Sequence, residues 1–401
     1  MGVEMQDPYA WLDEATNEAF QWQRCEREKT EDYFSALPAF GTMYESYAMS
    51  SPSLKIYGVS AAGGQTYWGQ YESQLAMMEF LTSPTGIDVE EGTRLAVLQL
   101  EPIRCSLYAS PDGSACAVVT PADQGPSAVD IFRRDGTPVP GVGRKVRHGS
   151  PIAWLPDSSG FCYLRPQQEE GPSRAFQVTL ATAAETELPF RAHRIFASTD
   201  GAALVISQWR TGRGSDLAVA PMRGNQVGTP VDIVQNIRWA GDASGDQIFW
   251  CDKEREGPGF VVQTATLENP RSHRDLFAFT RGTLVDLEAI GASIVVEALV
   301  DGAAALYVYD HLGQDQRELV LPGPGSIQYF TADGPGHALV VFNSPVHECT
   351  VLRYDLESGR GTTVYQDTST LDPALYSCTR EWAIADDGTR IPMFVVQRGG
   401  S

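Results

Sequence analysis

The sequence has few basic residues for its length, and it has no segment of the kind that carries a chain into or across a membrane. Its 401 residues contain 30 Lys and Arg against 51 Asp and Glu, a formal net charge of −21. This balance argues against binding nucleic acid or an anionic membrane, because both attract cations. The N-terminal MGVEMQDPYAWL has neither a basic start nor an apolar core, and no apolar run approaches the ~20 residues that span a bilayer. We expect neither a nucleic-acid partner nor a membrane partner.

Cysteines and histidines are not spaced as a disulfide framework or a metal site requires. The seven cysteines are odd in number and widely separated, and no Cys-x-x-Cys occurs. Such usage is typical of reduced thiols, so the sequence predicts a cytoplasmic protein. There is no His-Glu-x-x-His and no paired Cys/His cluster. We therefore expect neither a metal nor a cofactor.

The chain also lacks a nucleophile elbow, the Gly-x-Ser-x-Gly turn that exposes a catalytic serine between a strand and a helix. The Gly-x-Ser runs of the sequence include those at Ser127, Ser173 and Ser293. The first and third lack the second small residue, and the run at Ser173 follows a polar segment and leads into the strand-like FQVTL. The six histidines thus have no such serine to serve as a base. We expect no Ser-His-Asp triad here and no serine peptidase activity from this chain by itself.

One helix is predicted near the N-terminus, from Asn17 to Leu37. This segment contains no Gly or Pro, and Pro38 follows it. Thr16 can serve as the N-cap, and Glu18 lies in the first turn, where a negative charge suits the helix dipole. The sequence predicts a helical N-terminal arm over residues 1–49.

From about residue 50 onward, short apolar segments alternate with turns that recur at a regular period. The turns end at Gly113, Gly160, Gly201, Gly245, Gly291 and Gly334, which are 47, 41, 44, 46 and 43 residues apart. We expect these glycines to supply the positive φ that the turns require. A period of ~40–50 residues with four strands per unit is typical of a β-propeller, whose blades stack because one sheet cannot bury both of its faces. Six clear units and a weaker one near residues 55–100 predict seven blades.

The C-terminal segment has the pattern of a β-hairpin around an Asp-Gly turn. Trp382 and Ile384 alternate with other residues before the turn, and Ile391, Met393 and Val395 do so after it. A lone two-stranded hairpin is marginally stable in water, so these strands are expected to join something larger.

The predicted fold class is therefore all-β. It consists of a short helical N-terminal arm over 1–49, a seven-bladed β-propeller over 50–372 and a C-terminal β-hairpin over 373–401.

Three motifs resemble the prolyl oligopeptidase family of serine peptidases. The family's Asp-Pro-Tyr-x-Trp-Leu-Glu is similar to the sequence DPYAWLD that runs from Asp7 to Asp13. The segment PIAWLPDSSGFCYLR looks like the family's blade motif AW-x-x-D-G-x-G-F-x-Y. The C-terminal ADDGTRIPMFVV is similar to the family's S-x-D-G-T-x-I-P-M-x-I-V, with Ala385 in place of the serine. Together these motifs extend from one end of the chain to the other.

The resemblance implies a role in substrate selection. In that family the propeller caps an α/β-hydrolase domain that carries a Ser-Asp-His triad, and it limits access to short peptides. The hairpin would be the entry to a hydrolase domain that is absent here, so this chain would be the non-catalytic gating portion. An α/β-hydrolase domain or a second subunit would dock at the hairpin, and a peptide or a small molecule would occupy the propeller cavity. The alternative is a stand-alone, repurposed propeller that binds a small molecule or a protein partner, or carries out non-peptidase chemistry, in its central cavity.

Five residues are candidates for lining that cavity: His148, His193, Trp209, Arg210 and Arg213. His148 lies in the basic cluster RKVRHGS, and His193 occupies the comparable place before the next blade. The other three lie in the glycine-rich QWRTGRGSD, where a guanidinium could pair with a substrate carboxylate in bidentate fashion. A solvated loop or an ordinary surface turn is the alternative for each of them.

Overall fold

The structure is a computed structural model of the chain. It describes residues 10–13, 17–38, 40–42, 54–72, 75, 77–84, 86–99, 105–122, 125–167, 171–210, 214–237, 241–252, 259–314, 316–367 and 373–399. The chain divides into two compact units, residues 1–52 and residues 53–401. The first contains a 3₁₀ turn (Ala10–Asp13) and the helix α1 (Asn17–Ser35), which begins at the predicted residue.

The second unit contains seven antiparallel sheets that follow one another along the chain, and each sheet is one blade. Blade 1 consists of β1 (Leu54–Ala62), β2 (Gln65–Glu72), β3 (Met77–Ser83) and β4 (Thr93–Gln99). Blade 2 consists of β5 (Ser106–Ala109), β6 (Ala115–Thr120), β7 (Ser127–Arg133) and β8 (Arg144–Val146). Blade 3 consists of β9 (Ala153–Trp154), β10 (Gly160–Leu164), β11 (Ser173–Thr179) and β12 (Glu185–Ala192).

Blades 4 to 7 repeat this arrangement, and a hairpin follows them. Blade 4 consists of β13 (Arg194–Ala197), β14 (Ala203–Arg210), β15 (Gly214–Arg223) and β17 (Val231–Ile237), with the short β16 (Gln226–Val227) at its end. Blade 5 consists of β18 (Asp242–Ser244), β19 (Gln247–Asp252), β20 (Phe260–Thr266) and β21 (Arg274–Phe279). Blade 6 consists of β22 (Thr283–Ile290), β23 (Ser293–Val300), β24 (Ala303–Asp310) and β25 (Arg317–Leu319). Blade 7 consists of β26 (Ser326–Ala332), β27 (His337–Ser344), β28 (His347–Asp355) and β29 (Gly361–Gln366).

A 3₁₀ turn (Pro373–Leu375) then leads into the hairpin of β30 (Tyr376–Ile384) and β31 (Arg390–Arg398). The predicted all-β fold with seven blades is confirmed.

The turn glycines behave as expected with one exception, in blade 3. Five of the six have a positive φ, between 60° and 78°, but Gly160 does not. There the left-handed residue is Ser158, with a φ of 58°. Gly160 is needed for space instead, because a Cβ at this position would lie 2.0 Å from the carbonyl oxygen of Val178 on the neighbouring strand. The predicted spacing of the turns is therefore confirmed, but the predicted reason for Gly160, a positive φ, is wrong.

The core consists of seven clusters of buried apolar side chains, one between each pair of neighbouring blades. The cluster between blades 7 and 1 closes the ring, and it includes Trp68, Leu81, Leu339 and Val341. Within the described ranges, every blade is built only from strands that are consecutive in sequence. The ring is therefore closed by side-chain packing and not by strands exchanged between its first and last blades. No helix in the described part of the chain is long and apolar enough to cross a membrane.

Candidate functional site

The candidate site is a cavity of about 850 Å³ at the centre of the propeller. Its lining includes residues from the first strand of every blade, namely β1, β5, β9, β13, β18, β22 and β26. Because one strand from each of the seven blades contributes to the same space, the cavity lies at the axis of the ring. Its volume is in the range of sites that hold small molecules or short peptides.

Three carboxyl groups from two neighbouring blades form what we call the acidic side of the cavity: Asp242, Asp286 and Glu288. Asp286 and Glu288 are two residues apart on β22, so their side chains lie on the same face of that strand. Leu287, between them, belongs to the buried cluster on the other face. Asp242 is the first residue of β18 in blade 5.

The carboxylate of Asp242 is held in place by the backbone. One oxygen accepts a hydrogen bond from the N–H of Ala243 at 2.7 Å, and the other accepts one from the N–H of Ala289 on blade 6 at 2.8 Å. Asp200, in the turn after β13, also lines the cavity and accepts a hydrogen bond from the N–H of Gly245. The negative charges of three successive blades are thus fixed near one another.

Burial and the nearby negative charges change the pKa values of two of these carboxyl groups. Burial raises the pKa of Asp242 to about 7, and the charges of Asp286 and Asp200 act in the same direction against the two backbone donors. Burial also raises the pKa of Glu288 well above its usual range, with the charges of Asp286 and Asp242 adding to the effect and Arg194 opposing it. Asp242 and Glu288 therefore favour their protonated forms more than ordinary carboxyl groups do, and a cation beside them would favour their charged forms.

Blade 4 supplies the side of the cavity next to these acids. Its lining includes Arg194 on β13, Ser207 and Trp209 on β14, and Ser215 on β15. Ser207 is the strand partner of Arg194. The Oγ of Ser207 is enclosed by protein and has no hydrogen-bond partner among the described residues. This side thus offers a guanidinium, hydroxyl groups and an aromatic ring.

Two of the predicted site residues come together in the structure. The backbone N–H of Trp209 donates to Nδ1 of His193 at 2.9 Å. Their rings are stacked, with centroids 5.5 Å apart and an interplanar angle of 13°. Trp209 lines the cavity, and His193 supports its ring from behind. Burial lowers the pKa of His193, and the charge of Arg147 acts in the same direction, so this histidine favours its neutral form.

Of the other three predicted residues, the structure describes the side chain of His148 alone, and this side chain does not join the pair. His148 is exposed, and its Nδ1 lies 3.3 Å from Oγ of Ser127, at the start of β7. Ser127 is buried on a strand and occupies no strand-to-helix turn, so this contact is not a nucleophile elbow. The side chain of Arg210 and the whole of Arg213 lie outside the described residues.

The basic cluster around His148 connects two blades. Arg144 lies in β8, and its Nε donates to Glu185 of blade 3 at 2.9 Å. The Nη1 of Arg147 donates to the carbonyl of Gly171 at 2.7 Å and to Oγ of Ser173 at 2.9 Å. This cluster therefore has a structural role that neither the cavity interpretation nor the solvated-loop interpretation anticipated.

Sequence reasoning missed the acidic side of the cavity. None of the five predicted cavity residues carries a carboxyl group. The informative signal was the alternate pair in VDLE, Asp286 and Glu288, on the first strand of a blade. First strands line the axis of a propeller, so an acid at every second position of such a strand indicates a charged channel.

Beyond the ring, the terminal hairpin presents an apolar surface. Ile391, Met393 and Val395 alternate along β31 and are 47%, 42% and 38% exposed, respectively. The opposite face of the hairpin is directed to blade 6: Arg380 lies 3.5 Å from Asp301, and a Cβ at Gly302 would lie 3.6 Å from the ring of Phe394. We call Ile391, Met393 and Val395 the outer face of the hairpin.

The fold and the cavity together define a seven-bladed β-propeller with an acidic channel, and similar proteins are known. No family model matches the sequence. A prolyl oligopeptidase A from Galerina marginata is 21% identical over 98% of this chain and 61% of its own length. A prolyl endopeptidase from Elizabethkingia miricola is 21% identical over 51% of this chain and 29% of its own length.

Solved structures give the same result for the fold. A structure from a study of two prolyl endopeptidases superposes with a TM-score of 0.72 at 19% identity, over 99% of this chain and 62% of the other. Prolyl oligopeptidase B from Galerina marginata gives a TM-score of 0.70 at 19% identity, over 98% of this chain and 62% of the other. The resemblance to prolyl oligopeptidases is confirmed, and the chain spans about three fifths of the length of these structures.

Proposed function

We propose that this chain is the substrate-selecting propeller portion of a prolyl oligopeptidase-like serine peptidase and is not catalytic by itself. The observation that carries the proposal is the outer face of the hairpin. Soluble proteins seldom leave a strand pair with three alternating apolar side chains uncovered, and such a surface usually marks an interaction site. The similarity to prolyl oligopeptidases supports the choice of partner that we propose: an α/β-hydrolase domain, present in the same protein or supplied as a second subunit.

The hairpin is placed so that it can serve as such a connection. One face rests on blade 6 through Arg380 and Phe394, which fixes the orientation of the two strands. The other face is exposed, and no strand in the described part of the chain pairs with the outer edge of β30 or of β31. A sheet added there would bury the outer face and also satisfy the backbone groups at the edge of the hairpin.

We attribute the selection of short peptide substrates by the propeller to the size of its cavity. A space of about 850 Å³ admits a short peptide and excludes a folded protein. The acidic side adds a preference for charge, because it attracts cationic groups and repels anionic ones. All seven cysteines are unpaired, which supports the cytoplasmic location that we propose for the protein.

The decisive experiment mixes this chain with a separately produced α/β-hydrolase portion of a prolyl oligopeptidase. We expect a complex in size-exclusion chromatography with light scattering, and slower cleavage of peptides too large for the cavity. Ile391→Asp should abolish the complex, because it places a charge on the outer face. Val320→Asp is the matched control, since Val320 is an apolar side chain that is 81% exposed on blade 6, outside the hairpin. Absence of a complex with the unmodified chain, or equal loss in both variants, would contradict the proposal.

The second candidate function is that of a stand-alone propeller that binds a ligand or protein partner, or carries out non-peptidase chemistry, in its cavity. The acidic side favours it, because carboxyl groups with raised pKa values are common at binding and catalytic sites. This candidate predicts that the chain binds its ligand without a hydrolase portion, and that Ile391→Asp has no effect on that binding.

A further inference from the structure

We propose that the acidic side of the cavity binds a primary ammonium group carried by a short peptide, and that the hydroxyl of Ser207 completes this site. The inference rests on the proposed function for the choice of a peptide as the carrier. Two sources offer the same chemistry, the free amino terminus and a lysine side chain, and the experiment below separates them.

The first argument is the arrangement of the acceptors. Asp242 approaches from blade 5, and Asp286 and Glu288 approach from blade 6, all of them in the cavity lining. The backbone hydrogen bonds of Asp242 hold its carboxylate rigidly and leave part of its acceptor capacity unused. An ammonium group carries three donors in a compact arrangement, which suits several oxygens that approach from different directions.

The second argument comes from Ser207, independently of the acids. Its side chain is only 1% exposed, and its Oγ has no hydrogen-bond partner in the described part of the chain. Ser207 alternates with Val205 and Ala203 on the face of β14 that packs toward blade 5, the blade of Asp242. A buried hydroxyl without a hydrogen-bond partner is unfavourable, so a ligand atom in the cavity that bonds to it would be stabilised there.

The remaining lining suits a peptide better than a bare ion. Within the described ranges, no three side chains of His, Cys, Asp or Glu come together in a geometry that could hold a metal. Trp209 presents an aromatic ring, against which a cationic or apolar group can pack. Arg194 adds a guanidinium on the same lining, which can donate to a peptide carbonyl or carboxylate. The cavity thus presents both negatively and positively charged side chains. This suits a peptide, because a peptide carries both hydrogen-bond donors and hydrogen-bond acceptors.

The titration of the acids supports this assignment. Burial and mutual repulsion raise the pKa values of Asp242 and Glu288, and the groups that face them are Asp286, Asp200 and Arg194. A bound ammonium would lower these pKa values, so binding would release protons. The affinity should therefore increase as the pH rises toward about 7, below the range in which a peptide amino terminus itself loses its proton.

The test is calorimetric titration of the full chain with three short peptides of the same length. One has a free amino terminus and no lysine, one is N-acetylated and contains lysine, and one is N-acetylated without lysine. We expect either ammonium-bearing peptide to bind at least about tenfold more tightly than the third, a difference of about 1.4 kcal/mol. Tight binding of the first alone identifies the amino terminus, and tight binding of the second alone identifies a lysine side chain. Equal binding of all three, or no binding, overturns the inference.

Matched variants connect the binding to the cavity. Glu288→Gln should weaken the ammonium-bearing peptides about tenfold and reduce the pH dependence, because it removes one acceptor charge. Glu297→Gln is the control: Glu297 is a buried carboxyl on β23 of the same blade, its pKa is raised to about 7, and it does not line the cavity. Equal effects of both variants overturn the inference.

A third variant and one separate measurement complete the design. Ser207→Ala should weaken the same peptides without lowering the temperature of thermal unfolding of the free protein, which is evidence that the fold is intact. Binding of the hydrolase portion should remain unchanged in Glu288→Gln. If peptides bind as expected but the hydrolase portion does not, the proposed function fails and the ammonium site remains.

Discussion

The hairpin and blade 7 contain strands of similar composition, but they differ completely in burial. β27 has five consecutive buried residues, from Ala338 to Phe342, whereas every residue of β31 except Pro392 is exposed. Blade 7 is covered on one face by the cluster shared with blade 6 and on the other by the cluster shared with blade 1. The hairpin has only one covered face. An alternating apolar pattern in the sequence therefore predicts that a segment forms a strand. Whether that strand is buried depends on which sheets pack against its two faces.

Truncation of one phenylalanine in each region should give the largest contrast. Phe342 is 0% exposed at the centre of β27, and Phe394 is 41% exposed on β31. We expect Phe342→Ala to lower the free energy of unfolding by about 3–5 kcal/mol, because it leaves a cavity in the core. Phe394→Ala should cost about 1 kcal/mol or less, since half of its surface already faces water. Denaturant unfolding of the two variants measures both values, and similar costs would show that the hairpin is as well packed as a blade.

A comparison of ion pairs sharpens the contrast. Arg144 bonds to Glu185 and also donates to the carbonyls of Gly141, Gly143 and Ala183 at 2.8–3.0 Å. Its replacement by Ala should cost about 2 kcal/mol, because it leaves part-buried acceptors without their donor.

The hairpin counterpart is Arg380, whose contact with Asp301 is longer and partly exposed. Arg380→Ala should cost about 0.5 kcal/mol or less, the usual value of such a pair. Thermal unfolding at low and high salt distinguishes the two, because the exposed pair is screened more strongly. A larger loss for Arg380 would mean that the hairpin contributes substantially to the stability of the ring.

The last comparison concerns a dependence on pH that arises in the blades. Burial raises the pKa of Glu297 to about 7 in the folded state, whereas in the unfolded chain it is about 4.3. The folded state therefore favours the protonated form, and stability should fall as the pH rises from about 4 to about 7. Glu297→Gln should flatten this fall and stabilise the protein above about pH 7 by up to about 4 kcal/mol, because each unit of pKa difference corresponds to about 1.4 kcal/mol.

Glu381, an exposed carboxyl on β30, is the matched control. Glu381→Gln should change the unfolding free energy by about 0.5 kcal/mol or less at any pH, as surface substitutions usually do. Parallel pH series of unfolding curves test both variants, and the same slope for Glu297→Gln and the unmodified chain would contradict the assignment.

Local sequence signals predicted most of the fold and little of the site. The spacing of turns such as those at Gly113 and Gly201 determines the number of blades, because each turn lies within one blade and repeats with it. The acidic side depends on residues of separate blades, Asp242 and Glu288, which approach only when the ring closes. No local pattern encodes that approach. The pairing of His193 with Trp209 was equally hidden, since it joins residues sixteen positions apart across a strand pair.

The order of the strands also has a consequence for how the chain folds. Each blade forms from strands that follow one another within about 40–50 residues, so its strand pairs need no segment from a distant part of the chain. Blades can therefore form one after another as the chain is synthesised. The exception is the packing of Trp68 and Leu81 against Leu339 and Val341, which must wait until blade 7 has been made. Until then the face of blade 1 that packs against blade 7 stays uncovered. We expect a nascent chain to be most prone to aggregation through this face.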